Sequence, residues 1–440
     1  MYDRDTGERY TRSSRYGSAF RPTVSPDGRW LVYGTRHEHQ TGLRLRDLDT
    51  GEERWLAYPV QRDDQESVAS SDVLPGMSFT PDSSELVASY GGKIWRVPVD
   101  RSAPTEIPFQ GAVDLELGPR LDFDYPIDTS PTFTVRQIRD AVPSPDDQLV
   151  AFAALDRVYV QSLPDGEPQR LTELDLTEAQ PTWSPDGRWV AFVTWSPAGG
   201  HLYKVEASGG DPVRLTSVPA IYQHPAWSPD GGRIVAIQGP ARSYQQAAAQ
   251  SAPGANENIV WIDADGGTTT LVAPTDGRSR PHFTSDSDRI YLYHSQDGLV
   301  SIRWDGTDER PHVRVTGSQL PGADDPQRAS LILMAPRGDQ AFAVVNNDLY
   351  VVTVPYVGGD TPTVSVSDPD TAVVPVRQLT DVCGQFPAWS SDGQRAYWSI
   401  GRAFFSYDLA AADAAADYVP TEIDITVLAV RDIPAGQMFL

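Results

Sequence analysis

At 440 residues the chain is long enough to bury a large core, and length alone argues for two or three domains. Its net charge of −24, with 36 basic residues that are all arginine except Lys93 and Lys204, argues against nucleic acid and anionic membrane as partners, because an acidic surface repels both. The 37 prolines and 35 glycines fit turn-rich all-β structure, and no segment has the length and apolarity of a membrane span or a long 3.6-residue period. No charged-then-apolar leader opens the chain, so the sequence as it stands carries no export signal.

In chain order, the opening "MYDRDTGERYT" matches "LRDLDTGEERWL" (45–56), which reads as the outer hairpin of a four-stranded unit. The inner strands that should precede it are absent. Next comes "RPTVSPDGRWLVYGTR" (21–36), and its phrase recurs as "PTWSPDGRWVAFVTW" (181–195) and "PAWSPDGGRIVAIQG" (225–239). S-P-D-G predicts a turn: proline presets φ, Ser and Asp bond nearby amides, and Gly accepts the exit geometry. The "RWVAFVTW" after the turn predicts a strand apolar on both sides, hence covered on both faces. After it come a second strand ("HLYKVEAS"), a Gly/Asp hairpin and an outer strand ("PVRLT"). That is one four-stranded blade.

The second turn position falls at Pro26, Pro81, Pro145, Pro185, Pro229, Ser285, Pro336 and Ser391, with spacings of 55, 64, 40, 44, 56, 51 and 55 residues. Such repeats predict a β-propeller with eight repeat units. "APRGDQAFAVV", around Pro336, is the weakest copy. Trp183, Trp227 and Trp389, each just before its turn, are expected near blade cores.

Two closures fit the pattern. One is a single eight-bladed ring. The other is two blades (1–112), a connector (113–134), a six-bladed ring (135–430) and a C-terminal connector (431–440). The longest gap falls at 113–140 and favours the second. "SYQQAAAQSAPGANE" (243–257) reads as a flexible loop inside blade five, and "YDLAAADAAADYVP" (407–420) as a short helical turn or Ala-rich connector.

The sequence assigns no catalytic, cofactor-binding or metal-binding residue. G-x-S-x-G, H-E-x-x-H and a glycine-rich phosphate loop are all missing. "TRHEHQ" sets His37 and His39 about Glu38, a spacing that presents two imidazoles on one strand face to zinc, but its place in the unit is the loop between second and third strands. "DADGG" (263–267) opens like a calcium loop yet lacks the remaining ligands, so it reads as a hairpin. Asp27, Asp82, Asp146, Asp186, Asp230 and Asp392 recur with the turn, which argues for structure over catalysis. The lone Cys383 reads as a buried structural thiol.

The phrase P-x-W-S-P-D-G with a closing "RLT" resembles the WD40-like repeats of TolB-type β-propellers, over nearly the whole chain. "FTVRQIRDAVPSPDDQLVAFAALDRVYV" and the ending "TEIDITVLAVRDIPAGQMFL" resemble the propeller region that precedes the catalytic domain in large bacterial amidohydrolase-family proteins. The resemblance implies a non-catalytic binding or gating module without cofactor, whose partner is a protein, a peptide or a covalently linked hydrolase domain. It also implies a periplasmic or secreted setting if the N-terminus is truncated. The alternative is the N-terminal part of a metal-dependent amidohydrolase or, more remotely, of a prolyl-oligopeptidase-like peptidase; that family's metal ligands lie in the domain absent here. A scaffold motif names no reaction.

Overall fold

The computed structural model describes residues 2–13, 19–38, 40–62, 74, 76–115, 118, 130–245, 247, 257–286, 288–415 and 418–430. His39, much of the 113–134 connector, most of the 243–257 loop and the 431–440 segment lie outside the described residues. Among those described, eight four-stranded sheets form, numbered here 1 to 8 in chain order, and one of them gains a fifth strand. The protein is an all-β propeller fold.

Contacts divide the chain into two units, residues 1–127 with 240–256, and residues 128–239 with 257–440. The first unit holds sheet 1, which begins with Phe20–Val24, and sheet 2, which begins with Met77–Phe79. Phe20, Val32, Leu43 and Leu45 share one core with Phe79, Leu86 and Val97. The short helix Ala241–Gln245 belongs to this unit, where Arg36 Nη1 donates to the Ala247 carbonyl at 2.9 Å. The opening residues make a single bridge, Tyr2 to Arg9, around a turn.

The second unit holds sheets 3 to 8, whose first strands are Arg139–Pro143, Thr177–Trp183, Ile221–Trp227, Arg278–His282, Leu331–Met334 and Gln385–Trp389. Each sheet packs on the next through apolar side chains. Phe152 and Phe192 illustrate why: the central strands that carry them are buried along nearly their whole length because both faces are covered. Separate clusters join sheets 3 and 4, 4 and 5, 5 and 6, 6 and 7, and 7 and 8. A further cluster sets Ile138, Val150 and Phe152 of sheet 3 against Tyr397, Phe404 and Ile423 of sheet 8. Leu428–Val430 pairs antiparallel with Thr132–Thr134 beside that contact.

The recurring turn is a small hydrogen-bonded device. Ser228 Oγ donates to Asp230 Oδ1 at 2.6 Å and accepts the Arg233 N–H at 3.0 Å, while Asp230 Oδ1 accepts the Gly232 N–H at 3.0 Å. The same three bonds appear around Ser25, Thr80, Ser144, Ser184 and Ser390. These bonds depress the six repeated aspartates' pKa values, the hydroxyl bond being the largest cause.

Trp183 and Trp227 are buried and Trp389 is half-buried. Each indole also reaches the preceding sheet: Trp183 Nε1 donates to Val142 O at 3.1 Å, Trp227 Nε1 to Thr182 O at 3.3 Å and Trp389 Nε1 to Leu333 O at 3.2 Å.

One strand leaves its own repeat. Thr363–Ser365, from the connection between the third and fourth strands of sheet 7, runs parallel to the outer strand of sheet 6, with Arg314 opposite Thr363 and Thr316 opposite Ser365. It buries Val364.

Candidate functional site

The first strands of sheets 3 to 8 line one cavity of about 520 Å³. In sheets 3, 4, 5, 6 and 8 the first strand breaks register against its neighbour, between Arg139 and Val142, Ala179 and Thr182, Gln223 and Ala226, Ser279 and His282, and Gln385 and Ala388. Inside each break stands one non-glycine residue at positive φ: Asp140 (48°), Gln180 (53°), His224 (52°), Arg280 (54°) and Phe386 (53°). L-residues enter that region at a cost, and a bulge re-aims the side chain it carries. All five line the cavity, with Leu331 of the unbulged sheet 7 completing the set.

Two of these side chains carry charge. Loss of bulk water pushes the Asp140 carboxyl above its ordinary pKa, against the pull of Arg280 and Arg139. The same loss lowers the Arg280 pKa, with Asp140 opposing it. Among the described residues the two groups form no ion pair or side-chain hydrogen bond; they sense each other through space.

The cavity histidines are neutral. Desolvation, with Arg280 adding to it, brings His224 down to about 3. His282 is brought down to about 4 by desolvation. Its Nδ1 lies 2.8 Å from the Arg280 carbonyl and its Nε2 accepts the Met334 N–H at 2.9 Å, so the proton sits on Nδ1. The His224 N–H donates to Gln180 Oε1 at 2.6 Å, which fixes the Gln180 side chain.

The residues weighed in the sequence lie elsewhere. His37 ends the second strand of sheet 1 and packs against Trp55 and Tyr58, at ring distances of 5.4 and 5.6 Å. Glu38 takes the hairpin turn at φ 55°. Among the described residues no group of three His, Cys, Asp or Glu is placed to hold a metal ion. Asp265 of "DADGG" lies 3.2 Å from the Lys204 ammonium. Cys383 departs from expectation: it is half-buried, not buried, because it occupies a turn at φ 103° held by a 3.1 Å bond from its N–H to Asp348 Oδ1.

Sequence reasoning passed over the cavity set. The signal was the residue immediately before the repeated phrase: D-A-V-P-S, Q-P-T-W-S, H-P-A-W-S, R-P-H-F-T and F-P-A-W-S. The phrase itself recurs from blade to blade, whereas the residue in front of it changes each time.

No known family model matches the chain, and no curated protein does. Among solved structures, a putative TolB from Agrobacterium tumefaciens is 19% identical, with a TM-score of 0.40 over 56% of this chain and 91% of that one. An oligogalacturonate lyase in complex with manganese is 16% identical, with a TM-score of 0.44 over 64% of this chain and 77% of that one. An oligogalacturonate lyase from Vibrio parahaemolyticus is 13% identical, with a TM-score of 0.43 over 67% and 79%. The propeller assignment rests on this chain's own sheets.

Proposed function

We propose that the chain is a non-catalytic binding or gating module, a six-bladed propeller preceded by two further blades, which accepts its ligand or partner at the cavity lined by sheets 3 to 8. The observation that carries this reading is the set of five strained, non-repeating residues converging on one cavity. The strained bulge itself is a device of the repeat, shared by Arg21 (φ 49°) of sheet 1; what supports a binding site is that in sheets 3 to 8 it turns five different side chains onto one cavity. The six-bladed closure is supported by the core shared between sheets 3 and 8.

The module belongs, in this reading, to a larger hydrolase, as the resemblance of "TEIDITVLAVRDIPAG" implies. The hydrolase chemistry then belongs to a covalently linked catalytic domain, and the cavity gates or holds what that domain uses.

A thermal-shift screen of small metabolites and short peptides tests the binding reading, run in parallel on Leu331→Trp, which narrows the cavity. Hits that stabilise the wild-type chain and vanish in the variant are expected. Hits indifferent to Leu331→Trp, or none at all, overturn it. The purified chain should not turn over amide, ester or cyclic-amide substrates; turnover abolished by a substitution within these 440 residues refutes the non-catalytic part.

A further inference from the structure

The cavity residues follow the order of the sheets: Asp140, Gln180, His224, Arg280, Leu331, Phe386. In a cycle of six packed sheets, Asp140 and Arg280 stand three sheets apart in either direction, and so on opposite walls. One flank between them is polar, Gln180 and His224. The other is apolar, Leu331 and Phe386. The cavity thus has an acidic pole, a basic pole, a hydrogen-bonding side and a greasy side.

Neither charged group has a counter-ion in contact, among the described residues; both stand half-buried in the cavity wall. A desolvated charge without a partner is costly, and a ligand that brings the missing counter-charge removes that cost. Here two opposite charges offset each other only through space, on opposite walls, and neither has a partner in contact. The volume, about 520 Å³, is ample for a small molecule.

Resting on the binding reading above, we propose that the cavity takes a small zwitterion with an apolar side chain, a free α-amino acid or a dipeptide, with its carboxylate on Arg280, its ammonium on Asp140 and its side chain against Leu331 and Phe386. The guanidinium offers a planar fork matched to a carboxylate. His224 and His282 stay neutral near pH 7, so they neither compete for the carboxylate nor repel the ammonium. A purely anionic ligand leaves Asp140 facing like charge. A purely cationic one does the same to Arg280.

Calorimetric titration of the full chain near neutral pH tests this with L-leucine, L-leucyl-L-leucine, N-acetyl-L-leucine, L-leucine amide, N-acetyl-L-leucine amide and glycine. One of the first two should bind one to one, the better of them fixing the length that spans the poles. Blocking either terminus should weaken binding roughly ten-fold or more, and glycine should bind more weakly for want of a side chain. Arg280→Gln should erase the preference for a free carboxylate and Asp140→Asn the preference for a free ammonium. Arg280→Lys, which keeps the charge, should retain part of the affinity, and a wild-type circular dichroism spectrum shows each variant folded. Equal binding of the doubly blocked derivative, or of the singly blocked ones, overturns the zwitterion. If it falls while other ligands still depend on the width set by Leu331→Trp, the binding reading stands. If no ligand responds to Leu331→Trp, both fall.

Discussion

The indole Nε1 of Trp227 donates to the carbonyl of Thr182 across 3.3 Å, so a side chain of sheet 5 closes a bond on the first strand of sheet 4. Trp227 is also buried, at 8% exposure, and its cluster spans both sheets. Trp227→Phe keeps most of the volume and drops the bond, which should cost about 1 kcal/mol. Trp227→Ala should cost roughly 3–5 kcal/mol as a large core truncation. Denaturant unfolding of the two variants separates the terms; equal losses show the hydrogen bond to be the dominant one.

His282 gives the second unit a defined acid response. Its folded-state pKa is about 4, against 6.5 for an unperturbed imidazole. Between those values the unfolded chain binds more protons, so stability falls as pH drops from 6.5 towards 4 and this contribution is flat above 6.5. Protonation at Nε2 also removes the acceptor for the Met334 N–H. His224 and His312, lowered to about 3 and about 4, act in the same direction. His282→Gln should flatten the slope of stability between those pH values by roughly 1–3 kcal/mol in total. Unfolding midpoints measured against pH check it, and an unchanged slope refutes the assignment.

Ser228 is 1% exposed and both donates and accepts within its turn. Ser228→Ala should cost about 1–2 kcal/mol, because the Arg233 N–H loses a side-chain acceptor and Asp230 a donor. The Asp230 pKa, held down first by the Ser228 hydroxyl and then by the Gly232 N–H, should rise in the variant. A carboxyl with a depressed folded-state pKa contributes stability above its unfolded value of 3.8 and loses it as pH falls through the folded value. The variant should therefore lose less on acidification than the wild type. Carboxyl NMR titration of Asp230 reads the shift directly.

Two glycines separate crowding from backbone strain. A Cβ at Gly200 falls 1.6 Å from the Thr194 carbonyl oxygen, so Gly200→Ala forces the backbone apart. At Gly231 the φ of +72° is unfavourable for alanine, but the nearest atom is Pro185 Cδ at 3.7 Å. Gly231→Ala should cost about 1 kcal/mol and remain folded. Gly200→Ala should cost several times that or yield insoluble chain. Comparable expression and melting temperature for both refutes the crowding at Gly200.

The turns and inner strands were legible because each repeat restates them. The strand read second, from "HLYKVEAS", is the third of sheet 4, Leu202–Glu206, because the strand before the turn, Thr177–Trp183, went unread; the outer strand from "PVRLT" shrinks to Val213–Arg214. The Ala-rich stretch holds a helix, Leu409–Ala414, begun by an Asp408 side chain that accepts the Ala411 N–H. The weak copy around Pro336 is, with the copy in sheet 2, one whose first strand lacks a bulge; Ile332 stands where proline comes after the bulged residue in four of the other five sheets that line the cavity. The cavity was illegible for a physical reason: repetition marks what every blade needs, and a binding site is built from what each blade does differently. Thr363–Ser365 was missed because "TVSVS" is a short alternating run whose partner lies in another repeat.

That displaced strand bears on how such a protein changes length through evolution. Rings of repeats grow and shrink by duplicating or deleting a unit, provided each unit carries everything it needs. The seventh does not satisfy this condition, since Thr363–Ser365 shields the hydrogen-bonding edge of the sixth sheet and fills its flank with Val364. Excising the seventh unit strips a neighbour of its cover and leaves an open edge that templates association with other chains. Copying the sixth unit alone produces a duplicate with the same bare edge. Recombination at this junction therefore carries a cost that the other junctions escape only if each of their units keeps its own strands.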